Sequence, residues 1–262
     1  MKIYGYENSS ISEEKYLYKA LGIDLKEKNI ISFVGGGGKT TSVYTLAREL
    51  SNLGKKVLVT TTTHMHMPND CIDFKGDVKE ITERLKIHNL VTVGIKEKND
   101  KISSVGEDIA EALINLCDFL IIEADGAKML PLKAPASHEP VILKNTTMVV
   151  GVAGIDSLNK SIKETCHRPQ QVCNILKQND NYVIKPKDIA ILLSSEKGQK
   201  KGVHECKNAI YRALINKVDN KELLDLAEKG IKQMIALQKE CLKMDSLWIG
   251  TGEQYEKNNF SK

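Results

Sequence analysis

Hydrophobic positions along this chain fall into short continuous runs separated by stretches of helical spacing. The first run, Ile30 to Val34, is apolar almost throughout and predicts a strand buried on both faces. Beyond it Val43, Leu46, Ala47 and Leu50 recur three and four apart, the single apolar stripe of a helix. Lys56 to Thr60 predicts a second strand, which completes a βαβ unit. The alternation then continues. Helices are predicted over Asp77–Ile87 and Glu107–Leu116, with strands at Leu90–Ile95, Asp118–Glu123 and Thr147–Val152. Helices over Gln170–Gln178 and Asp188–Ser194 follow, then an apolar segment Ala209–Ile215, a long amphipathic helix Lys221–Leu242 and a last strand Ser246–Gly250. Upstream, Ser12 to Leu21 predicts a helix stopped by Gly22, so 1–28 reads as an N-terminal helical extension. Lys96–Gly106 is charged and then small, which predicts a surface connection, and 253–262 predicts a flexible tail. Pro131–Pro140 is rich in proline and must be a loop; Glu196–Gly202 reads as a mobile or ligand-covering loop.

Between the first strand and the first helix stand Gly35, Gly36, Gly37 and Gly38, then Lys39, Thr40 and Thr41. Strand, glycine loop, Lys-Thr and helix in that order form a P-loop, so the expected architecture is α/β, a three-layer P-loop NTPase fold with a mostly parallel central sheet flanked by helices. The whole of 1–262 is expected to form one nucleotide-binding domain. Glycine leaves room for a phosphate and allows successive N–H groups to turn inward, while the helix N-terminus adds a positive dipole end. Lys39 is expected to reach the β- and γ-phosphates, and the Thr40 hydroxyl to coordinate Mg²⁺. The spacing G-x-x-x-x-G-K-[ST] would place its first glycine at Phe33. What remains, GGGGKTT, resembles the deviant G-G-x-G-K-T-T loop of the SIMIBI branch of P-loop proteins. The extra lysine of that branch would fall at Val34, where this chain has none.

Three further constellations lie at predicted strand ends. Asp118–Glu123 ends in Glu123-Ala124-Asp125-Gly126, as a Walker B strand would. Glu123 is assigned to the metal shell and Asp125 to positioning water or substrate, with the Gly126 N–H as a sensor of the γ-phosphate. Asn216-Lys217-Val218-Asp219 matches N-K-x-D, in which the carboxylate reads guanine; Asp219 with Glu222 also fits a helix cap, so GTP and ATP both stay open, GTP favoured. After the second strand come Thr62, Thr63, His64 and His66, which with Lys133 and His138 form a candidate substrate loop. The two histidines alone do not complete a metal site. Arg168, within Cys166-His167-Arg168-Pro169, is a candidate for stabilising transferred phosphoryl charge, alongside Lys39 and Asp125 as catalytic residues.

Composition narrows the field further. A net charge of +4 carried mainly by lysine, with 5% aromatic residues, gives no base-stacking surface and predicts no nucleic-acid partner. The scattered cysteines contain no C-x-x-C, which predicts reduced thiols in the cytoplasm. No run reaches the length of a membrane span, and the N-terminus has no apolar signal segment.

The blocks FVGGGGKTT (Phe33–Thr41), VLVTTTTH (Val57–His64), EADGAK with PLKAPASHEP (Glu123–Pro140), VVGVAGIDSLNK (Val149–Lys160), HRP (His167–Pro169) and INKVD (Ile215–Asp219) together resemble the YqeC-type accessory proteins of selenium-dependent molybdenum hydroxylases. The resemblance runs in order from about residue 15 to 250. It implies a cytoplasmic maturation protein whose partners are a nucleotide and a molybdenum hydroxylase or its maturation factors. By similarity to other SIMIBI proteins it also implies a homodimer. The reaction stays open between a GTP- or ATP-hydrolysing switch, a small-molecule kinase and a nucleotide-binding scaffold without turnover.

Overall fold

The computed structural model describes residues 2–7, 10–69, 71–74, 77–238 and 247–250. The expected tail 253–262 and the part of the long helix beyond residue 238 lie outside them. Strands β1 (Ile3–Glu7) and β2 (Ser10–Glu14) come first, then α1 (Leu17–Ala20), β3 (Asn29–Gly35), α2 (Lys39–Asn52), β4 (Val57–Thr61), β5 (His64–His66) and β6 (Ile72–Asp73). They are followed by α3 (Lys79–Ile87), β7 (Leu90–Glu97), β8 (Lys101–Ser103), α4 (Glu107–Ala112), β9 (Phe119–Glu123), β10 (Leu132–Lys133) and β11 (Met148–Gly154). The remainder is α5 (Ile162–Thr165), β12 (Cys166–His167), α6 (Pro169–Leu176), α7 (Pro186–Ser194), β13 (Ile210–Asn216), α8 (Lys221–Gln238) and β14 (Leu247–Gly250).

The main sheet runs β2-β1-β14-β13-β11-β3-β9-β4-β7-β8-β5, with β6 beside β7. Its centre is parallel from β14 through β7, and only the edges are antiparallel. Helices cover both faces. Ile31 and Phe33 of β3 face the core that holds Val43, Leu46, Ala47 and Leu50 of α2. Ile30 and Val34 face the opposite core, which holds Ile81 of α3, Ile189 of α7 and Ile231 of α8. Strands buried on both faces explain why the sequence shows continuous apolar runs rather than alternation. The expected α/β class with a mostly parallel, helix-flanked sheet is what the chain adopts.

Three expectations need correction. Pro131–Pro140 is not loop throughout, since it contains β10, which pairs with β12. The helix predicted over Ser12–Leu21, and with it the helical extension 1–28, is a β1–β2 hairpin followed by a single helical turn. That turn is not capped by Ser12. Glu49 of α2 accepts the Leu17 and Tyr18 N–H groups at 2.9 Å each, so the cap comes from another element. The surface connection over Lys96–Gly106 contains β8, which pairs with β7 and β5.

The connections place the chemistry. From β3 the chain crosses to β4, and β9 later fills the slot between them; β11 returns on the other side of β3. Carboxyl ends of β3, β9, β11 and β13 therefore gather at one point of the sheet, where a parallel sheet presents its crevice.

Candidate functional site

β3 ends at Gly35, and α2 starts at Lys39 with Gly38 as its N-cap and no side chain capping it. Its first-turn N–H groups have no partner within the helix. Gly35, Gly37 and Gly38 have φ of +102°, +73° and +108°, where side chains are strained. Space is the second constraint. A Cβ at Gly37 would sit 2.1 Å from the Gly154 nitrogen and one at Gly36 2.6 Å from the Leu130 oxygen. The loop is thus packed against β11 and the segment before β10. Gly36 N–H donates to Val152 O at 2.9 Å, and Gly37 N–H to Leu130 O at 3.1 Å. Leu130 is presented by a tight turn in which Lys128 and Met129 both have positive φ, a strained arrangement for residues with side chains.

Around the loop lies a continuous ionic chain. Thr40 Oγ1 donates to Glu123 Oε2 at 2.7 Å. Lys39 Nζ lies 3.1 Å from Asp125 Oδ1 and 4.0 Å from Glu123 Oε1, and donates back to Gly35 O. Both Asp125 oxygens accept the Gly35 N–H, at 3.0 and 3.1 Å. Asp125 Oδ2 is 3.0 Å from Lys133 Nζ, which is itself 2.9 Å from Glu139 Oε2 and donates to Gly126 O at 2.6 Å. Arg168 closes the chain with a two-pronged grip on Glu139, Nε at 3.0 Å and Nη2 at 2.9 Å. Three cations thus meet three carboxylates, and Lys39, Lys133, Glu123, Asp125 and Glu139 are all buried.

Burial dominates the Glu123 carboxyl and raises its pKa, with Lys39 and the Thr40 hydroxyl pulling the other way. Burial also acts on Glu139, but the hydrogen bonds from Arg168 and Lys133 outweigh it and hold its pKa down at about 2. His167 is held below its ordinary value by burial and by the nearby Lys133 and Arg168. Cys166 is pushed up to about 12 by burial, which keeps it a thiol.

The structure brings together Gly35–Lys39, Thr40, Glu123, Asp125, Gly126, Lys133 and Arg168. Thr41 continues the first turn of α2. Asn216 joins them from the end of β13, its Nδ2 donating to Gly37 O at 3.0 Å. Lys217 instead pairs with Asp156 at 2.8 Å, and Asp219 is exposed. The cap of α8 is Asn220, whose Oδ1 accepts the Leu223 N–H at 2.9 Å. Thr62 donates to Val141 O at 2.7 Å, and Thr63 N–H donates to Thr61 Oγ1 at 3.1 Å. His64 and His66 stand exposed on edge strand β5, with His64 3.3 Å from Glu97, and His138 is exposed on the proline loop. Among the described residues no group of three His, Cys, Asp or Glu side chains is placed to hold a metal ion.

Sequence reasoning missed Glu139, Gln199 and Lys201. Gln199 Nε2 donates to Lys133 O at 2.9 Å. Lys201 Nζ donates to the carbonyls of Ala136, Ser137 and Glu139 at 2.5, 2.8 and 2.6 Å. Glu196–Gly202 is therefore a strap pinned to Lys133 and the proline loop. The signal for Glu139 was the single acid in the proline-rich stretch Pro131–Pro140.

Fold and site define a class: an α/β protein whose glycine loop, lysine and paired acids converge at the carboxyl ends of a parallel sheet. A family model described as "YqeC protein" matches residues 31–170, which include the ionic chain from Lys39 to Arg168. The chain is also 31% identical over 253 residues to "Uncharacterized protein YqeC" of Escherichia coli (strain K12), covering 90% of this chain and 93% of that protein. It belongs to the YqeC family. Among the described residues no helix is long and apolar enough to cross a membrane.

Proposed function

We propose that this chain binds and hydrolyses a nucleoside triphosphate with Mg²⁺, GTP before ATP, in the service of maturing a selenium-dependent molybdenum hydroxylase. The carrying observation is the convergence on one loop of Lys39, the Thr40–Glu123 pair and Asp125. The phosphates would meet the uncapped first turn of α2 and the Lys39 ammonium. Thr40 Oγ1 and Glu123 Oε2 are hard oxygen donors 2.7 Å apart, the set Mg²⁺ takes, so these residues fit the ion and would hold it. Bound there, the ion supplies neutralising charge for the phosphate oxygens. Asp125 would orient the attacking water and accept its proton as the water oxygen bonds to the terminal phosphorus and the diphosphate leaves with the electron pair of the broken bond.

Preference for GTP rests on Asn216. Its bond to Gly37 O fastens the N-K-x-D segment to the loop, and because Asn220 caps α8, the Asp219 carboxylate is not committed to a capping role. The scaffold reading draws on a different observation: Gly36 and Gly37 N–H groups already donate to protein carbonyls. Two experiments decide. Melting with Mg²⁺ and either GTP or ATP should rise by several degrees, since ligand at 100 times its dissociation constant adds about 2.7 kcal/mol. Phosphate release without any acceptor supports the hydrolase, and binding without release supports the scaffold. Lys39→Ala should weaken nucleotide binding at least tenfold; unchanged affinity would remove the premise.

A further inference from the structure

Asp125 marks where this site holds an anion. Its carboxylate accepts the loop's Gly35 N–H and lies 3.1 Å from Lys39 and 3.0 Å from Lys133. Two ammonium groups and a backbone donor around one carboxylate are also the partners that a phosphoryl group requires. We infer that Lys133 is a second phosphate-directed cation of this site, held beside the loop by Asp125, restrained by Glu139, and directed to the terminal phosphoryl group of a bound nucleoside triphosphate. This inference rests on the nucleotide reading above and deepens it.

Lys133 is built into place through both its backbone and its side chain. Its backbone pairs with β12 opposite His167, and its carbonyl accepts from Gln199. Its side chain is fully buried, and its ammonium has as many acceptors as it has protons: Asp125, Glu139 and the Gly126 carbonyl. A lysine serving only as a strut would be a poor choice, because an apolar residue of similar volume fills such a position at no desolvation cost. What the charge adds is an exchangeable partner. When a phosphoryl oxygen replaces an Asp125 oxygen, Lys133 keeps a full set of acceptors without moving its stem. Arg168 grips Glu139 on its far side, so Glu139 stays in place and sets how strongly Lys133 is drawn away from the loop.

The test compares triphosphate with diphosphate. Calorimetric titrations of the full chain with Mg²⁺ and GTP, GDP, ATP or ADP come first. If the native chain binds none of them, the nucleotide reading itself falls. If it binds, Lys133→Met should weaken the triphosphate roughly tenfold or more while the diphosphate changes by less than about threefold, and Lys133→Arg should recover most of the loss. Equal losses for both nucleotides, or no loss, would overturn the assignment of Lys133 and leave the nucleotide reading standing. Near-UV circular dichroism checks that Lys133→Met keeps its tertiary packing. If it does not, Glu139→Gln gives the answer from the other side. Relieved of the competing charge, Lys133 should bind the triphosphate several-fold tighter than in the native chain; unchanged or weaker triphosphate binding would overturn the inference.

Discussion

Glu139 carries more of this site's integrity than its place in a proline-rich loop suggests. It holds Lys133 from one side and Arg168 from the other, and it accepts the Ala136 N–H at 3.3 Å. Removing one member of a buried pair leaves the other charge uncompensated, which costs about 3–5 kcal/mol. Glu139→Ala should therefore lower the melting temperature by roughly 10 °C in a chain of this size, while Glu139→Gln, which keeps the shape, should cost less. The same residue gives a pH dependence with a definite sign. Its carboxyl sits at about 2 when folded, against 4.5 for a free glutamate, so the folded state favours the ionised form. That stabilisation is complete above the unfolded value and is lost as the pH falls through 4.5 toward 2. Melting temperatures recorded down this range should decline for the native chain and decline less for Glu139→Gln. Parallel curves would mean that the Arg168–Glu139–Lys133 chain is not an ionised network.

At the level of elements, what could be read from sequence and what could not divides by the range of the interactions. Strands β3, β4 and β9 are buried on both faces, so their apolar runs announce them. The glycine loop was equally plain, because GGGGKTT between a strand and a helix is a local pattern. β1 and β2 were hidden because Ser10–Glu14 is a mostly exposed, polar edge strand whose only signal is its pairing with β1. The links that tie the proline loop and the strap to the site were hidden as well: Gln199 meets Lys133 across 66 positions of chain, and Lys133 meets Asp125 across an irregular loop with no periodicity to announce the contact. Glycines separate the two kinds of constraint. At Gly37 a Cβ would strike the Gly154 backbone at 2.1 Å and φ is +73°, whereas at Gly126 nothing lies within 4 Å and φ is not positive. Gly37→Ala should destabilise the fold by several kcal/mol, as strained and overpacked substitutions do. Gly126→Ala should leave stability within about 1 kcal/mol. Chemical denaturation of the two variants measures the difference, and equal costs would mean that the loop does not pack on β11 as described.

For the whole molecule, the consequence is that one small site is assembled from segments far apart in the chain. The first turn of α2 supplies Lys39, the end of β9 and the residues just after it supply Glu123 and Asp125, and β10 and its loop supply Lys133 and Glu139. Arg168 comes from the start of α6, Gln199 and Lys201 from the strap, and Asn216 from the end of β13. A ligand bound at the loop should therefore suppress local opening in all of these segments together, since each holds its neighbour through a buried charge or a carbonyl. Hydrogen exchange of the full chain with and without Mg²⁺ and GTP tests this. Slower exchange is expected at 35–42, 123–139 and 196–202, with the β7–β8 hairpin at the far edge unchanged. That hairpin is the informative control, because with β5 it forms a second polar cluster, His64 of β5 with Glu97 beside Lys96 and Lys101. Protection confined to it would move the nucleotide to that edge and leave the ionic chain as a structural clamp. Protection at 35–42 without any change at 196–202 would mean that the strap is fixed independently, and that phosphate binding is not felt beyond Lys133.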